Sequence, residues 1–317
     1  MRKGCRQSYA AVTTAALPDV CLLRSDPLVP ELGAGHSCAS YQPYLSRDVS
    51  DTTNLEGRTA LITGGTRGIG LAIARGLGSA GATVVVSSRK EPAVSAAVND
   101  LRASGISAHG VLANVGRMDE AMAMVDRAID LTGGIDILVN NAATNPVFGP
   151  LAETSTEAFD KIMAVNLKAP FEIGKRALAS MKARGGGVVL NVSSVAGLSP
   201  ESGLGTYSVS KAALISLTQV MAREWGCYNV RANALCPGFI RTDFSAALWT
   251  NERLSASIRA QQPIPRWGEA DEVAEMAVFL CSDRARFCTG AWYVVDGGFM
   301  IRDQFATIRQ GPDAGTR

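Results

Sequence analysis

From residue 58 onward, short apolar runs alternate with longer stretches in which apolar residues recur at helical spacing. The apolar runs predict strands at 59–63, 83–87, 108–113, 136–140, 187–192, 230–236 and 292–295. Helical spacing is clearest at 69–80, 118–132, 156–184, 206–226 and 270–282. Runs that are apolar on both faces and joined by helices are typical of buried parallel strands. The pattern therefore predicts an α/β fold, a doubly wound parallel sheet of about seven strands with helices on both faces.

The same pattern marks one folded domain at residues 55–302. Residues 1–54 hold four scattered prolines and no sustained period, which predicts a flexible extension or a start codon assigned too early. The basic residues Arg2, Lys3 and Arg6 precede the first acid, so organelle import stays the alternative to a cytoplasmic location. Residues 303–317 form a short polar tail, and neither end is expected to contribute to the core.

Composition argues against several classes of function. Hydrophobic residues make up 47% of the chain and charged residues 19%, which is typical of a well-buried globular domain. The net charge is only +2 with no basic run, so nothing points to a nucleic-acid partner. No apolar stretch reaches the roughly eighteen residues of a membrane span. The seven cysteines are scattered without C-x-x-C, so we expect reduced thiols of a cytoplasmic protein and no metal site.

The first predicted strand runs directly into the glycine-rich segment 63–70, and a helix opens at once. Glycine permits a tight turn and a close approach of the backbone to pyrophosphate, and the helix N-terminus offers free N–H groups to phosphates. In this strand–turn–helix context the segment predicts a Rossmann-type nucleotide site. The residues assigned to it are Gly64, Thr66, Arg67, Gly68, Ile69 and Gly70.

Tyr207 and Lys211 lie four positions apart in a predicted helix, so both side chains face the same side. An ammonium beside a phenol stabilises phenolate and lowers the tyrosine pKa from its reference near ~10 toward working pH. The two histidines, His36 and His109, are both remote from this segment in sequence. Tyrosine is therefore the better candidate for acid–base chemistry.

The spacing G-x-x-x-G-x-G in the glycine segment resembles the short-chain dehydrogenase/reductase family, whose other signatures follow in order. They are Asn140-Asn141-Ala142-Ala143, Asn166, Ser194, Tyr207 with Lys211, Pro237-Gly238 followed by Ile240 and Thr242, and Val295-Asp296-Gly297-Gly298. The resemblance covers residues 55–300 and implies a single-domain Rossmann-type oxidoreductase.

The resemblance implies four catalytic residues. Tyr207 donates a proton to a carbonyl oxygen while a nicotinamide cofactor delivers hydride to the carbon. Ser194 hydrogen-bonds the same oxygen, and its spacing to Tyr207 matches the family where that of Ser193 does not. Lys211 lowers the tyrosine pKa and binds the nicotinamide ribose, and Asn166 holds a water that links Lys211 to solvent.

The resemblance also places further residues against the cofactor. These are Asn114, Val115, Asn141, Ala142, Pro237, Gly238, Ile240 and Thr242, together with Tyr207 and Lys211. Ala143 stands where the family has glycine, which matters if that position needs a positive φ. Asn114 stands where many members have Asp, and its amide oxygen can still accept a hydrogen bond from an adenine amino group.

The end of the second predicted strand favours NADP(H) over NAD(H). Residues 86–90 offer no acid for a ribose 2′-hydroxyl, whereas Arg89 stands where a 2′-phosphate is accommodated. Arg67 provides a second guanidinium, and the planar fork of arginine suits a phosphate dianion. We predict NADP(H) as the preferred cofactor and keep NAD(H) as the alternative.

The substrate is predicted from the segment 241–266, the expected mobile lid, and from neighbouring loops. Their apolar side chains are Phe244, Leu248, Trp249, Leu254 and Ile258, with Pro146, Val147, Phe148 and Leu204. Such a lining suits a medium-sized apolar ketone, aldehyde or secondary alcohol. Residues 84–90 and 133–150 resemble NADP-dependent carbonyl reductases related to a peroxisomal, retinal-reducing branch.

Two other functions stay open from the sequence. One is a 3-oxoacyl-carrier-protein reductase, whose phosphopantetheine or acidic carrier would meet Arg241, Arg253, Arg259 or Arg266. The other is a non-catalytic NADP-binding regulator that retains the fold, although such a protein has no need of a proton donor at Tyr207.

The helices at 156–184 and 206–226 are apolar around much of their circumference, which predicts contacts between subunits. The outward side of the second helix is assigned to Ala213, Leu217, Val220, Met221 and Trp225. The resemblance implies a four-helix contact between copies of these helices, and a second contact through the last strand with Trp292 and Tyr293. We therefore expect a homotetramer that acts on a small carbonyl or alcohol molecule.

Overall fold

The computed structural model describes residues 53–301. The expectations about the N-terminal extension, organelle import and the C-terminal tail concern residues outside that range and stay predictions. Among the described residues, no helix is long and apolar enough to cross a membrane. Within the same range, no group of three or more His, Cys, Asp or Glu residues is placed to hold a metal ion.

Within residues 53–301, seven parallel strands form one sheet in the order β3-β2-β1-β4-β5-β6-β7. They are β1 Thr59–Thr63, β2 Thr83–Ser88, β3 Ala108–Leu112, β4 Ile137–Asn140, β5 Gly187–Val192, β6 Val230–Pro237 and β7 Trp292–Val295. This confirms the predicted doubly wound parallel sheet. Because β1 pairs with both β2 and β4, the strand order reverses there, and ligands bind at the carboxyl ends beside such a point.

Helices cover both faces of the sheet. They are α1 Gly68–Ser79, α2 Glu91–Ala103, α3 Met118–Thr132, α4 Thr156–Met163, α5 Ala169–Ala183, α6 Gly205–Trp225, α7 Ala246–Trp249, α8 Glu252–Ala260 and α9 Ala270–Cys281. The core on one face includes α1, α2 and α9, and the core on the other includes α3, α5 and α6. In β1, Ala60 and Ile62 belong to the first core and Leu61 to the second, which explains the uninterrupted apolar run.

A π-helical turn at Ala164–Lys168 interrupts the predicted helix 156–184 between α4 and α5. Pro170, in the first turn of α5, has no N–H to donate to the carbonyl oxygen of Asn166 four residues earlier. The backbone hydrogen bonds between residues four apart, as in a regular α-helix, are therefore interrupted here. The wider π turn accommodates the interruption. π turns are frequent at functional sites, and this one carries Asn166.

The prediction that Met221 and Trp225 lie on the outward side of α6 is wrong. Their side chains are 2% and 8% exposed and belong to the core shared with α5. Gly174 in α5 makes room for them, since a Cβ there would stand 2.9 Å from Met221 Cε and 3.2 Å from a ring carbon of Trp225. The other three residues of the predicted set are at least partly exposed, so the outward apolar surface of α6 is narrower than predicted.

Candidate active site

A cavity of about 800 Å³ lies at the carboxyl ends of the strands. The residues that follow β1, β2, β3, β4 and β5 line it together with the segment after β6. Every residue predicted to contact the cofactor, from the glycine segment to Thr242, is among them. The fold thus collects the predicted cofactor residues in one space, and their binding role stays a prediction.

The glycine segment after β1 has a shape that only residues without a side chain allow. Gly64 and Gly68 have φ values of +63° and +52°, in the left-handed region that favours glycine. A Cβ on Gly70 would collide with the carbonyl oxygen of Gly64 and with Asn141 Nδ2. The first turn of α1 is therefore shaped for the close approach of a phosphate to backbone N–H groups.

Asn141 fixes this turn from the end of β4. Its Nδ2 donates to the carbonyl oxygens of Thr63 and Gly64, each at 3.0 Å. The N–H groups of Asn141 and Ala142 both donate to Thr63 Oγ1 at 3.1 Å. These bonds tie the end of β4 to the glycine turn, so the chain itself holds the turn in shape.

Two serines that the sequence prediction missed line the cavity beside Arg89. Ser87 and Ser88 end β2, and Ser87 Oγ is buried without a hydrogen-bond partner among the described residues. Because buried hydroxyls as a rule have partners, this orphaned atom fits a polar ligand group in the cavity. In the sequence, these two serines could have been found as a pair of hydroxyl residues between an apolar strand and Arg89. With the glycine turn, these residues fit a dinucleotide cofactor.

Neither departure from the family pattern strains the site. Asn229 is the only residue other than glycine with a positive φ in the described part of the chain, so Ala143 carries no left-handed strain. Asn114 Oδ1 accepts from the N–H of Gly116 at 3.1 Å and keeps a second lone pair for a ligand. The N–H of Asn114 donates to Glu120 Oε2 at 2.8 Å, which holds the residue in place.

Tyr207 and Lys211, in the first turns of α6, both line the cavity. Burial raises the pKa of the Tyr207 phenol to about 12, and a hydrogen bond with Ser194 acts in the opposite direction. This differs from the expectation that Lys211 lowers the pKa. Lys211 Nζ lies 5.6 Å from the centroid of the tyrosine ring and donates to the carbonyl oxygen of Val192 at 2.8 Å. At this geometry the desolvation of phenolate outweighs the attraction of the ammonium.

Burial also acts on the ammonium of Lys211, a residue that is 2% exposed. It lowers the pKa of Lys211 from 10.5 to about 8, because the charged form loses its hydration. The neighbouring Cys236 thiol offsets this effect only in part, because burial raises its own pKa to about 11. Lys211 is thus a group that can take up and release a proton near working pH.

Ser193 and Ser194 make different contacts after β5. Ser193 Oγ donates to the carbonyl oxygen of Lys211 at 2.9 Å, which fixes α6 against the strand end. Ser194 Oγ accepts from the N–H of Ala196 at 3.1 Å and is hydrogen-bonded to Tyr207. Ser193 lines the cavity and Ser194 does not, whereas the hydrogen bond to Tyr207 comes from Ser194, so the catalytic role of Ser194 stays a prediction.

Asn166 does not line the cavity and is fully buried. Its Oδ1 accepts from the N–H of Thr144 at 2.8 Å, and its Nδ2 donates to the carbonyl oxygen of Thr144 and to Ser210 Oγ, both at 3.0 Å. These bonds use both N–H groups of the side-chain amide and tie the loop after β4 to α6. The side-chain amide therefore has no N–H group left for the predicted water, and the binding of that water at Asn166 stays a prediction.

Part of the predicted substrate lining borders the cavity. The residues that do so are Phe148, Leu204, Phe244, Leu248 and Leu254. The ring of Phe244 has its centroid 6.1 Å from that of Tyr207, which places apolar surface beside the phenol. The predicted residues outside the lining are Pro146, Val147, Trp249 and Ile258. Trp249 instead packs within the lid: its Nε1 donates to the carbonyl oxygen of Thr242 at 2.8 Å, and Arg241 lies over its ring.

Known proteins match this chain along most of its length. A family model described as Enoyl-(Acyl carrier protein) reductase matches residues 64–300. The chain is 45% identical over 253 residues to Dehydrogenase/reductase SDR family member 4 of Oryctolagus cuniculus, a match that covers 80% of this chain and 97% of that protein.

Solved structures match equally widely. A gluconate 5-dehydrogenase from Burkholderia cenocepacia J2315, in complex with NADP and tartrate, is 34% identical with a TM-score of 0.77 and covers 80% of this chain and 99% of its own. A 7α-hydroxysteroid dehydrogenase complexed with NADH and 7-oxo glycochenodeoxycholic acid is 32% identical with a TM-score of 0.76. That match covers 80% of this chain and 98% of the steroid enzyme.

Proposed function

The chain belongs to the short-chain dehydrogenase/reductase family, and we propose that it transfers hydride between NADP(H) and a small carbonyl compound or secondary alcohol through Tyr207. Family membership and oxidoreductase activity on C=O and CH–OH groups rest on the family, protein and structure matches. One observation carries the residue assignment: the glycine turn after β1 and the Tyr207–Lys211 pair of α6 line the same cavity.

The chain's residues handle the proton of the reaction. When bound, the nicotinamide cofactor supplies hydride to the substrate carbon or accepts it from there. Tyr207, with a pKa of about 12, is protonated at neutral pH, so we assign it as proton donor to the carbonyl oxygen in reduction. Ser194 hydrogen-bonds Tyr207, and we assign it to the same carbonyl oxygen, whose direction it fixes.

We assign Lys211 to the return of the proton to Tyr207 and to the nicotinamide ribose. Its pKa of about 8 supports the first task, because the group exchanges protons near neutral pH. The main-chain carbonyl of Asn166 would hold the water that connects Lys211 to solvent. The side-chain bonds of Asn166 to Thr144 and Ser210 support this arrangement, since they fix the loop and helix around it.

We propose a preference for NADP(H) over NAD(H). Arg89 lines the cavity at the end of β2, and none of the described residues lining that place is an acid. The related solved structures hold both kinds of cofactor, NADP in the gluconate 5-dehydrogenase and NADH in the steroid dehydrogenase. The preference therefore rests on the residues of this chain, with the phosphates assigned to the turn from Arg67 to Gly70 and the adenine to Asn114 and Val115.

Replacing Arg89 with Asp should raise the KM for NADPH by about tenfold or more and the KM for NADH by less than about twofold. A carboxylate at this place repels the 2′-phosphate, which only NADPH carries. Steady-state kinetics with each cofactor measure both values. Arg127→Asp makes the same charge change at an exposed position of α3 outside the cavity and should leave both values unaltered. Equal effects of Arg89→Asp on the two cofactors would refute the assignment.

We propose a medium-sized apolar ketone, aldehyde or secondary alcohol as the substrate. Phe244 beside Tyr207 and the leucines of α7 and α8 support this class, because they give the reacting end of the cavity an apolar wall. NADPH consumption with a panel of ketones, aldehydes and acyl thioesters tests it. We expect turnover of apolar ketones and aldehydes. Preference for acyl thioesters would favour the carrier-protein reductase, and no consumption with any member would favour the regulator.

The contacts of the lid arginines support the ketone over an acyl carrier. Arg241 stacks on Trp249 with its guanidinium carbon 5.2 Å from the ring centroid. Two further arginines are held in ion pairs inside the chain, Arg259 with Glu252 and Arg266 with Glu272. The glutamates partly neutralise these two arginines, although pairs as exposed as these contribute little net energy. The description of the matching family model nevertheless makes the acyl thioesters an essential part of the panel.

We propose that the protein is a cytoplasmic homotetramer. Apolar residues exposed on the outer surfaces of α4, α5, α6 and β7 support the assembly, because such surfaces mark contacts between chains. They are Phe159, Phe171, Val209, Val220, Trp292 and Val294. Light scattering should give a mass well above the 33.2 kDa of one chain, and a monomer mass would contradict the proposal. The cytoplasmic location is supported by the cysteines, which are scattered and form no C-x-x-C motif.

A further inference from the structure

One carboxylate lines the cavity among several cations. Of the described residues that form its wall, Arg67, Arg89, Lys161 and Lys211 are cationic, and Asp243 is the only acid. A carboxylate here opposes a cofactor that carries several phosphate charges, because like charges raise the free energy of the bound state. The contacts of Asp243 show which cation it engages.

Asp243 reaches the glycine turn from the lid segment. Arg67 Nη1 donates to Asp243 Oδ2 at 3.1 Å. The two segments also approach each other beside this pair, since a Cβ on Gly68 would stand 3.2 Å from Thr242 Cγ2. Reciprocal bonds between Thr242 and Ser245 cap the short turn that begins at Asp243, and they fix the backbone that carries the carboxylate.

The Arg67–Asp243 pair is weak enough to be exchanged. The two side chains are 66% and 71% exposed, and ion pairs in that environment contribute little net stability. A phosphate dianion offers the Arg67 guanidinium more negative charge and a geometry that accepts two parallel N–H bonds. A phosphate within reach would therefore compete with the carboxylate for Arg67.

We propose that Asp243 is a specificity-determining residue that competes with the cofactor 2′-phosphate for the guanidinium of Arg67. This inference rests on the proposed binding of NADP(H). While Arg67 donates to Asp243 it attracts a phosphate less strongly, and the carboxylate repels the phosphate directly. NADP(H) draws Arg67 away from Asp243, whereas NAD(H) lacks the 2′-phosphate and leaves the pair intact.

The exchange also connects the cofactor to the lid. Asp243 lies at the start of the lid segment, ahead of α7 and α8, which bring Leu248 and Leu254 to the cavity. When Arg67 turns to the phosphate, the lid loses one tie to the glycine turn. Asp243 thus moderates the affinity for NADP(H) and lets the lid respond to which cofactor is present.

Asp243→Asn tests the proposal, because the amide keeps the shape of the side chain and removes its charge. We expect the Kd for NADPH to fall about three- to tenfold and the Kd for NADH to change by less than about twofold. Both constants are measured by fluorescence titration of the full chain at one fixed ionic strength. Asp100→Asn is the matched control: Asp100 pairs with Arg75 at 2.7 Å, is half-exposed and lies outside the cavity. Its Kd values should equal those of the wild type.

Arg67→Ala shows whether the effect passes through the guanidinium. In that background we expect Asp243→Asn to improve NADPH binding by less than about twofold, since only the direct repulsion between the carboxylate and the phosphate is left to remove. An Asp243→Asn variant whose Kd for NADPH is unchanged or raised would overturn the proposal. If the wild type binds NADPH and the variant shows no gain, only this inference fails. If the wild type does not bind NADPH, the proposed cofactor fails and this inference fails with it.

Discussion

Replacing Tyr207 with phenylalanine is expected to lower kcat by at least about a hundredfold while the Kd for NADPH changes by less than about twofold. The substitution removes one oxygen and keeps the ring, whose centroid lies 5.6 Å from Lys211 Nζ and 6.1 Å from the ring centroid of Phe244. Packing around the ring is therefore retained while the proton donor is lost. The rate of NADPH oxidation with an apolar ketone gives kcat, and fluorescence titration gives the Kd.

Tyr228→Phe is the matched control for this experiment. Tyr228 lies outside the cavity, with Lys182 Nζ 3.8 Å from its ring centroid, so loss of its hydroxyl should leave kcat unaltered. A Tyr207→Phe variant that keeps activity within about tenfold of the wild type would show that another acid protonates the substrate. Loss of NADPH binding together with activity would instead give Tyr207 a role in holding the cofactor.

Much of the candidate site could be predicted because, in a parallel sheet, many site residues directly follow the ends of the strands. Each buried strand is recognisable as an apolar run in the sequence. The residue after that run lies at the carboxyl edge of the sheet, where ligands bind. Gly64 after β1, Arg89 after β2 and Asn141 after β4 all line the cavity for this reason. Their separation along the chain is large, but the strand ends bring them to one edge of the sheet.

The features that the sequence prediction missed depend on contacts between distant segments. The inward direction of Met221 and Trp225 follows from the missing side chain of Gly174 in another helix, which the spacing along α6 cannot show. The pKa of Tyr207 rises because its surroundings exclude water, whereas the sequence showed only that Lys211 is near. The π turn at Asn166 had a local signal in Pro170, whose missing N–H forbids regular pairing four residues earlier.

Replacing Lys211 with methionine is expected to abolish turnover and to raise the free energy of unfolding at neutral pH. Lys211 is 2% exposed, and its ammonium has lost most of its hydration on folding. The drop in its pKa from 10.5 to about 8 expresses that cost, which is roughly 3–4 kcal/mol at about 1.4 kcal/mol per unit of pKa. Methionine has a similar length and carries no charge, so it fills the same space without the penalty.

The gain in stability should depend on pH in a defined direction. Below pH 8 the lysine is charged in both the folded and the unfolded chain, so the full penalty is present and methionine gives its largest gain. Between pH 8 and 10.5 the folded chain releases the proton first, and the penalty declines as the pH rises. Above 10.5 the lysine is neutral in both states, and the pH-dependent part of the difference between variant and wild type should vanish.

Equilibrium unfolding of wild type and Lys211→Met at several pH values measures this difference. Lys168→Met removes the same charge at an exposed position, so its difference from the wild type should be small and independent of pH. A Lys211→Met protein that is less stable than the wild type at pH 7 would show that the bond from Lys211 Nζ to the carbonyl oxygen of Val192 outweighs the loss of hydration. A Lys211→Met protein that is more stable than the wild type, as we predict, would mean that the chain keeps a destabilising buried cation beside Tyr207. That is expected of a group retained for proton transfer.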